Sequence, residues 1–220
     1  MFFKQMYEAF LEGIKEINLY TLLGIALFLI VGAIVLFILK KKKLAKDTRT
    51  LTLGSVCVAL AYVLSFFKLY SLPAGGSITV VSMLPIIAFG YMAGPAWGTV
   101  AGLVYSLLQM TQGTYFVSVL QFAFDYLLPF TLLGTCAGLF KTKNEILNIF
   151  SGATLAIIIR YVCHFIAGWV FWGEYAADAG FASPVVYSLV YNSFVLIDGI
   201  PCLIVLAIPQ IRKLFGRKKA

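Results

Sequence analysis

The stretch 146–172, "ILNIFSGATLAIIIRYVCHFIAGWVFW", decides the fold class of this chain. It is a long apolar run that contains one arginine, Arg160, and no lysine or acidic residue. A helix needs roughly 20 mainly apolar residues to cross the hydrocarbon core of a bilayer. The run therefore predicts a membrane-spanning helix, and the other apolar stretches of the chain are expected to lie in the membrane as well.

The composition of the whole chain agrees with this setting. Hydrophobic residues make up 61% of the 220 residues and charged residues 12%, with a mean hydropathy of +0.96. Soluble domains are usually about 45–50% apolar, so the sequence predicts an all-α integral membrane protein. We expect seven transmembrane helices, a six-helix core and one extra N-terminal helix, from 146–172 and the apolar stretches 19–39, 51–67, 83–93, 97–110, 118–140 and 185–211.

A basic run, "KKKKLAKDTRT" at 40–50, separates the first apolar stretch from the others. The first stretch is too long for the core of a signal peptide and no A-x-A-like site follows it, so we expect a retained helix. The leader before it has apolar residues at helical spacing, which is typical of a segment lying along the membrane surface. The predicted organisation is an amphipathic segment with the extra helix at 1–43, a basic cytoplasmic linker at 44–50, the core at 51–211 and a basic cytoplasmic tail at 212–220.

The positive charge of the chain, formally +8, is concentrated near alternate ends of the predicted helices. Lysines and arginines follow the first, fifth and last helices, which is the positive-inside pattern of a multi-pass protein of the cell membrane. We therefore expect the N-terminus outside, the C-terminus in the cytoplasm, the loop 72–82 outside and the turn 93–98 inside. This distribution favours the lipid bilayer over nucleic acid as the partner of the positive charge.

The cysteines and motifs of the chain argue against a metal site, a disulfide framework or an enzyme. The four cysteines occur singly within predicted helices, never as C-x-x-C. No P-loop, H-E-x-x-H or G-x-S-x-G motif occurs, so we expect no enzyme, no cofactor and no nucleotide hydrolysis by this chain. General acid–base chemistry by His164 with Asp125 remains the catalytic alternative.

The long apolar run carries a stripe of four residues on one helix face. Ionisable residues inside membrane helices are costly, which makes them candidates for function. The stripe repeats every four residues and consists of Arg160, His164, Gly168 and Trp172. We interpret the four together as part of a ligand site, although for Gly168 alone helix packing is the preferred explanation.

The neighbouring helices add three polar candidates near their outer ends. Asp125 follows Gln121 by one turn, and a carboxylate there would suit a cation or a ring amine; capping or a salt bridge is the alternative. The amide of Asn192 needs partners in a low-dielectric setting, from a neighbouring helix or from a ligand. Tyr187 belongs to the same helix, and taken alone it is better explained by an interfacial aromatic belt than by a ligand contact.

Two of the charged residues in the membrane are predicted to pair with each other. Arg160 lies 12 residues before Trp172, and Asp198 lies 11 residues after Tyr187. At about 1.5 Å per residue, Arg160 and Asp198 sit at similar depth in antiparallel helices. We therefore expect a structural ion pair between them.

Four segments in this order closely resemble one known family across residues 51–211: "LPAGGSITVVSMLPI" (72–86), "QFAFDYLLPF" (121–130), "RYVCHFIAGWVFWGEYA" (160–176) and "SPVVYSLVYN" (183–192). The family is the thiamine-specific substrate-binding component of energy-coupling-factor transporters. The resemblance implies a six-helix domain that binds thiamine near its outer face, beneath the loop after the first core helix. The extra N-terminal helix lies outside this resemblance.

The resemblance also implies roles for individual residues. Asp125 takes the acidic position expected to bind the aminopyrimidine, and Trp172 matches an aromatic residue that stacks on a ligand ring. The remaining positions line the pocket, give the ligand room or form the loop over it: His164, Gly168, Tyr187, Asn192, Gly75, Gly76 and Ser77. Thiamine is then a transported ligand and not a cofactor.

The resemblance further implies partners, namely a transmembrane coupling protein and two cytosolic ATPases that supply the energy for release inside. Ser55, Ala59 and Val63 recur every four residues and form a small-residue face suited to docking. Packing within the protein explains such a face about as well.

Three alternatives stay open beside thiamine capture. The first outer loop has Tyr70 where some members of the family place a tryptophan, so riboflavin or another vitamin is an alternative ligand. A membrane enzyme acting on a vitamin or lipid is a second alternative. A structural membrane protein without a small ligand is the third, in which the polar stripe only packs helices.

Overall fold

The computed structural model describes residues 48–72, 75–113 and 117–215. The predicted extra helix at 19–39 and the leader before it lie outside these residues. In chain order the elements are α1 (Thr48–Ser65), β1 (Lys68–Ser71), β2 (Ser77–Thr79), α2 (Leu84–Ala93), α3 (Pro95–Gln109), a 3₁₀ turn (Met110–Gln112), α4 (Val119–Phe122), a π-helical turn (Ala123–Leu127), α5 (Leu128–Ala137), α6 (Glu145–Phe171), α7 (Tyr175–Asp178), α8 (Pro184–Tyr191), α9 (Phe194–Ala207) and α10 (Pro209–Leu214).

Helices account for the membrane-embedded body, as the composition predicts. Within the described residues, four helical segments are long and apolar enough to cross a membrane: Thr48–Ser65, Val119–Ala137, Glu145–Phe171 and Pro184–Ala207. Helix α2 is apolar but shorter, and α3 follows it after the single residue Gly94. The all-α membrane class predicted from the sequence is confirmed, and these segments correspond to the six apolar stretches of the expected core.

The centre of the bundle is formed by α2, α3 and α5, which approach each other at glycines. A Cβ atom at Gly98 would overlap the carbonyl oxygen of Gly134, and one at Gly134 would overlap the carbonyl oxygen of Gly98. A Cβ atom at Gly90 would also overlap the carbonyl oxygen of Gly134. In lipid, small residues of this kind let helices associate through close backbone contact. Helix α6 packs on the other side of α5 and carries His164 of the candidate site, and Trp172 follows its last residue.

A β-hairpin, which the sequence did not predict, connects α1 to α2. Strands β1 and β2 are antiparallel, with Ser71 opposite Ser77 and Lys68 opposite Thr79. Leu72 N donates to the carbonyl oxygen of Gly76 at 2.7 Å, which closes the turn. The hairpin lies at the end of α1 where the sequence predicts the outer loop.

Basic residues gather at the opposite end of the bundle. One pocket there is formed where the end of α2, the start of α6 and helix α10 meet, and it is lined by Tyr91, Glu145, Ile146, Arg212 and Lys213. The hairpin and this basic end are therefore separated by the length of the bundle.

Candidate functional site

The site begins with Asp125, which lies in the π-helical turn between α4 and α5. Leu128 N donates to the carbonyl oxygen of Ala123, five residues earlier, instead of the usual four. Pro129 has no N–H for the carbonyl group of Asp125, so the regular α-helical hydrogen bonds are interrupted at this point. Such turns inside α-helices often occur at functional sites because they redirect a side chain.

The carboxylate of Asp125 is held by two neutral donors. Gln121 Nε2 donates to its Oδ2 atom at 2.6 Å, and Trp172 Nε1 donates to the same oxygen at 2.9 Å. The other oxygen, Oδ1, lies 3.5 Å from His164 Nδ1. The side chains of His164 and Asp125 are only 12% and 16% exposed. The structure thus brings together three of the predicted site residues, from two different segments, around one carboxylate.

The second ring nitrogen of His164 is the unusual feature of this group. Its Nε2 atom is buried, and no residue in the described part of the chain forms a hydrogen bond with it. Buried polar atoms in proteins nearly always have a partner, so one that lacks a protein partner calls for an explanation. A bound polar ligand would supply the missing partner.

A wall of aromatic rings extends from His164 towards the hairpin. The ring of Phe194 lies 6.0 Å from that of His164 and 6.1 Å from that of Tyr191. Tyr191 lies 5.6 Å from Tyr187, which in turn contacts Phe181 at 5.7 Å. The predicted residue Tyr187 is therefore part of a continuous aromatic surface, and its ring is buried in that surface.

The hairpin contacts this wall at Gly76. Gly76 N donates to the hydroxyl oxygen of Tyr191 at 3.4 Å, and a Cβ atom at Gly76 would lie 2.9 Å from the Phe194 ring. Gly75 has a φ of 95°, a conformation that other residues rarely adopt, and it forms the turn of the hairpin. Ser77 pairs with Ser71 across the hairpin. Of the three predicted loop residues, Gly76 is thus the one that contacts the wall.

Gly168 has a packing role in the structure. A Cβ atom at Gly168 would overlap Ser188 Oγ and would lie 2.6 Å from Asn192 Nδ2. Helix α8 therefore fills the space beside Gly168, and the expectation that Gly168 leaves room for a ligand is corrected. Asn192 is buried in the same contact, where its Nδ2 donates to the carbonyl oxygen of Ser188 at 3.0 Å. Packing against the neighbouring helix α8 accounts for Gly168. The amide of Asn192 instead finds its partner in Ser188, one turn earlier at the end of its own helix.

A buried ion pair lies one helical turn below His164. Arg160 Nη1 donates to Asp198 Oδ2 at 3.1 Å, and the two side chains are 8% and 1% exposed. The other oxygen of Asp198 accepts a hydrogen bond from Thr79 N at 2.8 Å and one from Thr79 Oγ1 at 3.0 Å. The pair therefore joins α6 and α9 to the end of strand β2.

The small-residue face of α1 points outward. Ser55, Ala59 and Val63 are all exposed, whereas Ala61 and Ser65 of the same helix are buried. An apolar groove of about 270 Å³ lies between α1 and α3, and its lining residues include Gly54, Ser55, Ala59, Trp97 and Val104. The exposed face is therefore available for contact with another helix or with lipid.

Sequence reasoning missed two contributors to the site. Phe194 contacts both His164 and the hairpin, but an apolar residue within an apolar run gives no signal of such a role. Gln121 is fully buried against Asp125, and its spacing of one turn before the carboxylate was the available signal.

The site has a definite chemical character. One carboxylate is held by neutral donors, an imidazole nitrogen has no partner among the described residues, and aromatic rings lie alongside. A buried carboxylate attracts a cation strongly because the surroundings have a low dielectric constant. Aromatic faces attract flat cations. The arrangement therefore favours a flat, positively charged ligand with ring nitrogens.

Comparisons with known proteins agree with this description. Residues 51–215 match the family described as "Thiamine transporter protein". The thiamine transporter ThiT of Bacillus subtilis is 29% identical over 192 residues, covering 79% of this chain and 97% of the relative. ThiT of Lacticaseibacillus paracasei is 26% identical over 169 residues, covering 69% of this chain and 79% of the relative.

A solved structure shows the same architecture. The structure of ThiT from Listeria monocytogenes superposes with a TM-score of 0.62 at 28% sequence identity, covering 77% of this chain and 99% of that one. The curated relatives are named as transporters, which agrees with the expectation that this chain is not an enzyme. From the match over most of its length, the chain belongs to the thiamine transporter protein family.

Proposed function

We propose that this protein binds thiamine in the pocket formed by Asp125, His164 and Trp172, and that it serves as the substrate-binding component of a vitamin uptake transporter. The observation that carries the proposal is the buried Nε2 of His164 beside the carboxylate of Asp125. Thiamine combines a flat aminopyrimidine with a cationic thiazolium ring. It therefore matches both the negative charge of the site and its aromatic surface.

Each residue has a definite task in this proposal. Asp125 accepts a hydrogen bond from the amino group or a ring nitrogen of the pyrimidine, and His164 supplies the second polar contact. The ring of Trp172, oriented by its hydrogen bond to Asp125, stacks on the ligand. Tyr187 belongs to the wall that faces the thiazolium, and Gly76 brings the hairpin over it. Ser188 Oγ donates to the carbonyl oxygen of Phe165 in α6 at 2.6 Å, and Asn192 Nδ2 donates to the same Ser188 oxygen at 3.1 Å. Asn192 thereby supports the contact between α8 and α6 that positions the wall.

The test is thiamine binding to the purified full-length chain in detergent, followed by quenching of tryptophan fluorescence. We expect saturable quenching by thiamine at concentrations where riboflavin, the alternative vitamin, has no effect. Saturation by riboflavin alone would show that the family's architecture here serves another vitamin. Conversion of bound thiamine to a product, followed by mass spectrometry, would instead favour the enzyme alternative.

The partners implied by the family resemblance are part of the same proposal. A transmembrane coupling protein docks on the exposed face of α1 formed by Ser55, Ala59 and Val63, and two cytosolic ATPases supply the energy. The groove beside this face is apolar, and its α1 side includes the small residues Gly54, Ser55 and Ala59, which suit the close approach of a partner helix in lipid.

Replacing Ala59 with phenylalanine is expected to reduce thiamine uptake by cells about tenfold or more, because the ring would fill the centre of the docking face. Binding to the purified protein should remain within about twofold of wild type, since Ala59 is exposed on α1 and the proposed ligand contacts come from Asp125, His164 and Trp172. The matched control is Thr154→Phe, at an exposed position of α6. Loss of binding in Ala59→Phe, or equal loss of uptake in Thr154→Phe, would argue against the docking face.

The proposed orientation in the cell membrane places the hairpin and the N-terminus outside and the basic end, with the C-terminus, in the cytoplasm. The four native cysteines are buried, so single new cysteines report the orientation cleanly. A membrane-impermeant maleimide added to intact cells should label Tyr70→Cys and not Lys143→Cys. The reverse labelling pattern would invert the proposed topology.

A further inference from the structure

The turn between the hairpin and α2 contains a strained residue. Val81 has a φ of 50°, and it is the non-glycine residue with a positive φ in the described part of the chain. A β-branched side chain in this region is a genuine outlier because its Cβ atom is crowded by the backbone. Strain of this kind persists only where surrounding contacts hold the backbone in place, and it tends to occur at binding and switch regions.

The contacts that hold this turn converge on Thr79. Its amide and hydroxyl groups both donate to Asp198 Oδ1, at 2.8 and 3.0 Å. Its hydroxyl oxygen also lies 2.6 Å from Ser82 Oγ, on the other side of Val81. Hydrogen bonds to a buried carboxylate are stronger than those between neutral groups. Asp198 of α9 therefore anchors the strained turn through Thr79.

The charge of that acceptor is balanced by Arg160. Arg160 occupies the other oxygen of Asp198, and its guanidinium carbon lies 4.9 Å from the centre of the Phe130 ring. Because Arg160 holds Asp198 through Oδ2, the oxygen that accepts from Thr79, Oδ1, has a fixed position relative to α6. The hairpin is thus attached to the helix that carries His164 and Trp172.

We propose that Asp198 is a positioning residue that holds the hairpin over the ligand pocket through Thr79, against the strain at Val81, and thereby sets how slowly the bound ligand leaves. The inference rests on the proposed function, because the ligand is the thiamine of that proposal. Asp198 does not touch the ligand; it acts through the hairpin, whose Gly76 lies on Phe194 and Tyr191.

The decisive variant is Thr79→Val, which removes the hydroxyl donor and keeps the backbone donor and the shape of the side chain. Losing the hydroxyl group's hydrogen bonds to the buried carboxylate of Asp198 and to Ser82 should speed thiamine release about tenfold. Release is measured on the purified full-length chain by chasing bound radiolabelled thiamine with an excess of unlabelled thiamine. Thr79→Ser retains the hydroxyl group and should release thiamine at a rate close to that of wild type.

The matched control is Thr99→Val. Thr99 is equally buried, and its hydroxyl oxygen lies 2.7 Å from Thr135 Oγ1 in the contact between α3 and α5. Both valine variants lose a buried threonine hydrogen bond, but only Thr79→Val should release thiamine faster. If the two variants release thiamine equally fast, Asp198 has a general structural role and the proposal is overturned.

The contribution of the strain is tested by adding Val81→Gly to Thr79→Val. Glycine adopts positive φ at little cost, so the double variant should release thiamine more slowly than Thr79→Val alone. Release at the same rate or faster would refute the part played by Val81.

The two proposals fail in different ways. If the wild-type protein retains no thiamine, the proposed function fails, and hydrogen exchange of the amides at 77–81 becomes the measurement of hairpin attachment. Thr79→Val must then accelerate exchange there relative to Thr99→Val. If wild type retains thiamine but Thr79→Val changes neither release nor exchange, only the positioning role fails.

Discussion

Replacing Asp125 with alanine is expected to weaken thiamine binding by about 100-fold or more, the largest loss for any single residue of the site. The change removes the negative charge that attracts the cationic ligand. It also leaves Gln121 Nε2 and Trp172 Nε1 without the acceptor that orients them, so the stacking ring loses its fixed position. The measurement is the dissociation constant from tryptophan fluorescence quenching.

Two further variants separate the charge from the shape of the site. Asp125→Asn keeps an acceptor oxygen for Trp172 but removes the charge, so it should bind with an affinity between those of wild type and Asp125→Ala. Asp178→Ala, at an exposed acidic position in α7, is the control and should bind as wild type does. Unchanged affinity in Asp125→Ala would place the ligand elsewhere in the fold.

Asp125→Ala also distinguishes a role in ligand binding from a purely structural role of this carboxylate. In the thiamine-binding interpretation, Asp125→Ala remains folded and elutes as a single species in detergent while its affinity falls. In the structural alternative, the polar side chains around Asp125 only pack helices together. Removing the Asp125 carboxylate would then destabilise the fold. The thermal unfolding midpoint of the variant, measured without ligand, decides between the two.

Replacing Gly98 with valine is expected to prevent folding. The new Cβ atom would overlap the carbonyl oxygen of Gly134, and this contact is between two backbones that cannot move apart without separating α3 from α5. Overpacking in a core typically costs about 1–3 kcal/mol, and more where the backbone itself has to move. The fraction of detergent-solubilised protein that elutes as a single folded species should fall to background.

The control for this variant is Ala207→Val, which adds bulk at an exposed position of α9. It should elute and unfold as wild type does. Gly98→Ala should be almost as damaging as Gly98→Val, because the first carbon beyond the backbone already makes the overlap. Normal folding of Gly98→Ala would mean that the contact between Gly98 and Gly134 is looser than its geometry indicates.

Much of the site was predictable because a helix repeats every 3.6 residues. The spacing of His164 and Trp172 places both on one face of α6, and the matching depths of Arg160 and Asp198 could be calculated from helical rise alone. The role of Gly168 was not predictable in this way. A glycine leaves space on a helix, but the sequence does not say whether a ligand or, as here, Ser188 fills that space.

The sequence by itself determined the class of the protein and identified the charged and polar residues within its membrane-spanning stretches. Its apolar stretches require membrane helices, because backbone groups in lipid have to form their hydrogen bonds within the segment. Its few polar residues in those stretches had to be functional or paired, since burial of an unpaired charge is too costly.

Only the tertiary structure decided how these residues meet. The π-helical turn at Asp125 directs its carboxylate to Trp172, a residue 47 positions away in sequence. Likewise, Asp198 reaches Thr79 across 119 positions, and the helices approach closely enough because Gly98 and Gly134 have no side chains. Periodicity fixes which side of a helix a residue occupies, but the neighbour it meets depends on how separate helices pack, which no local pattern encodes.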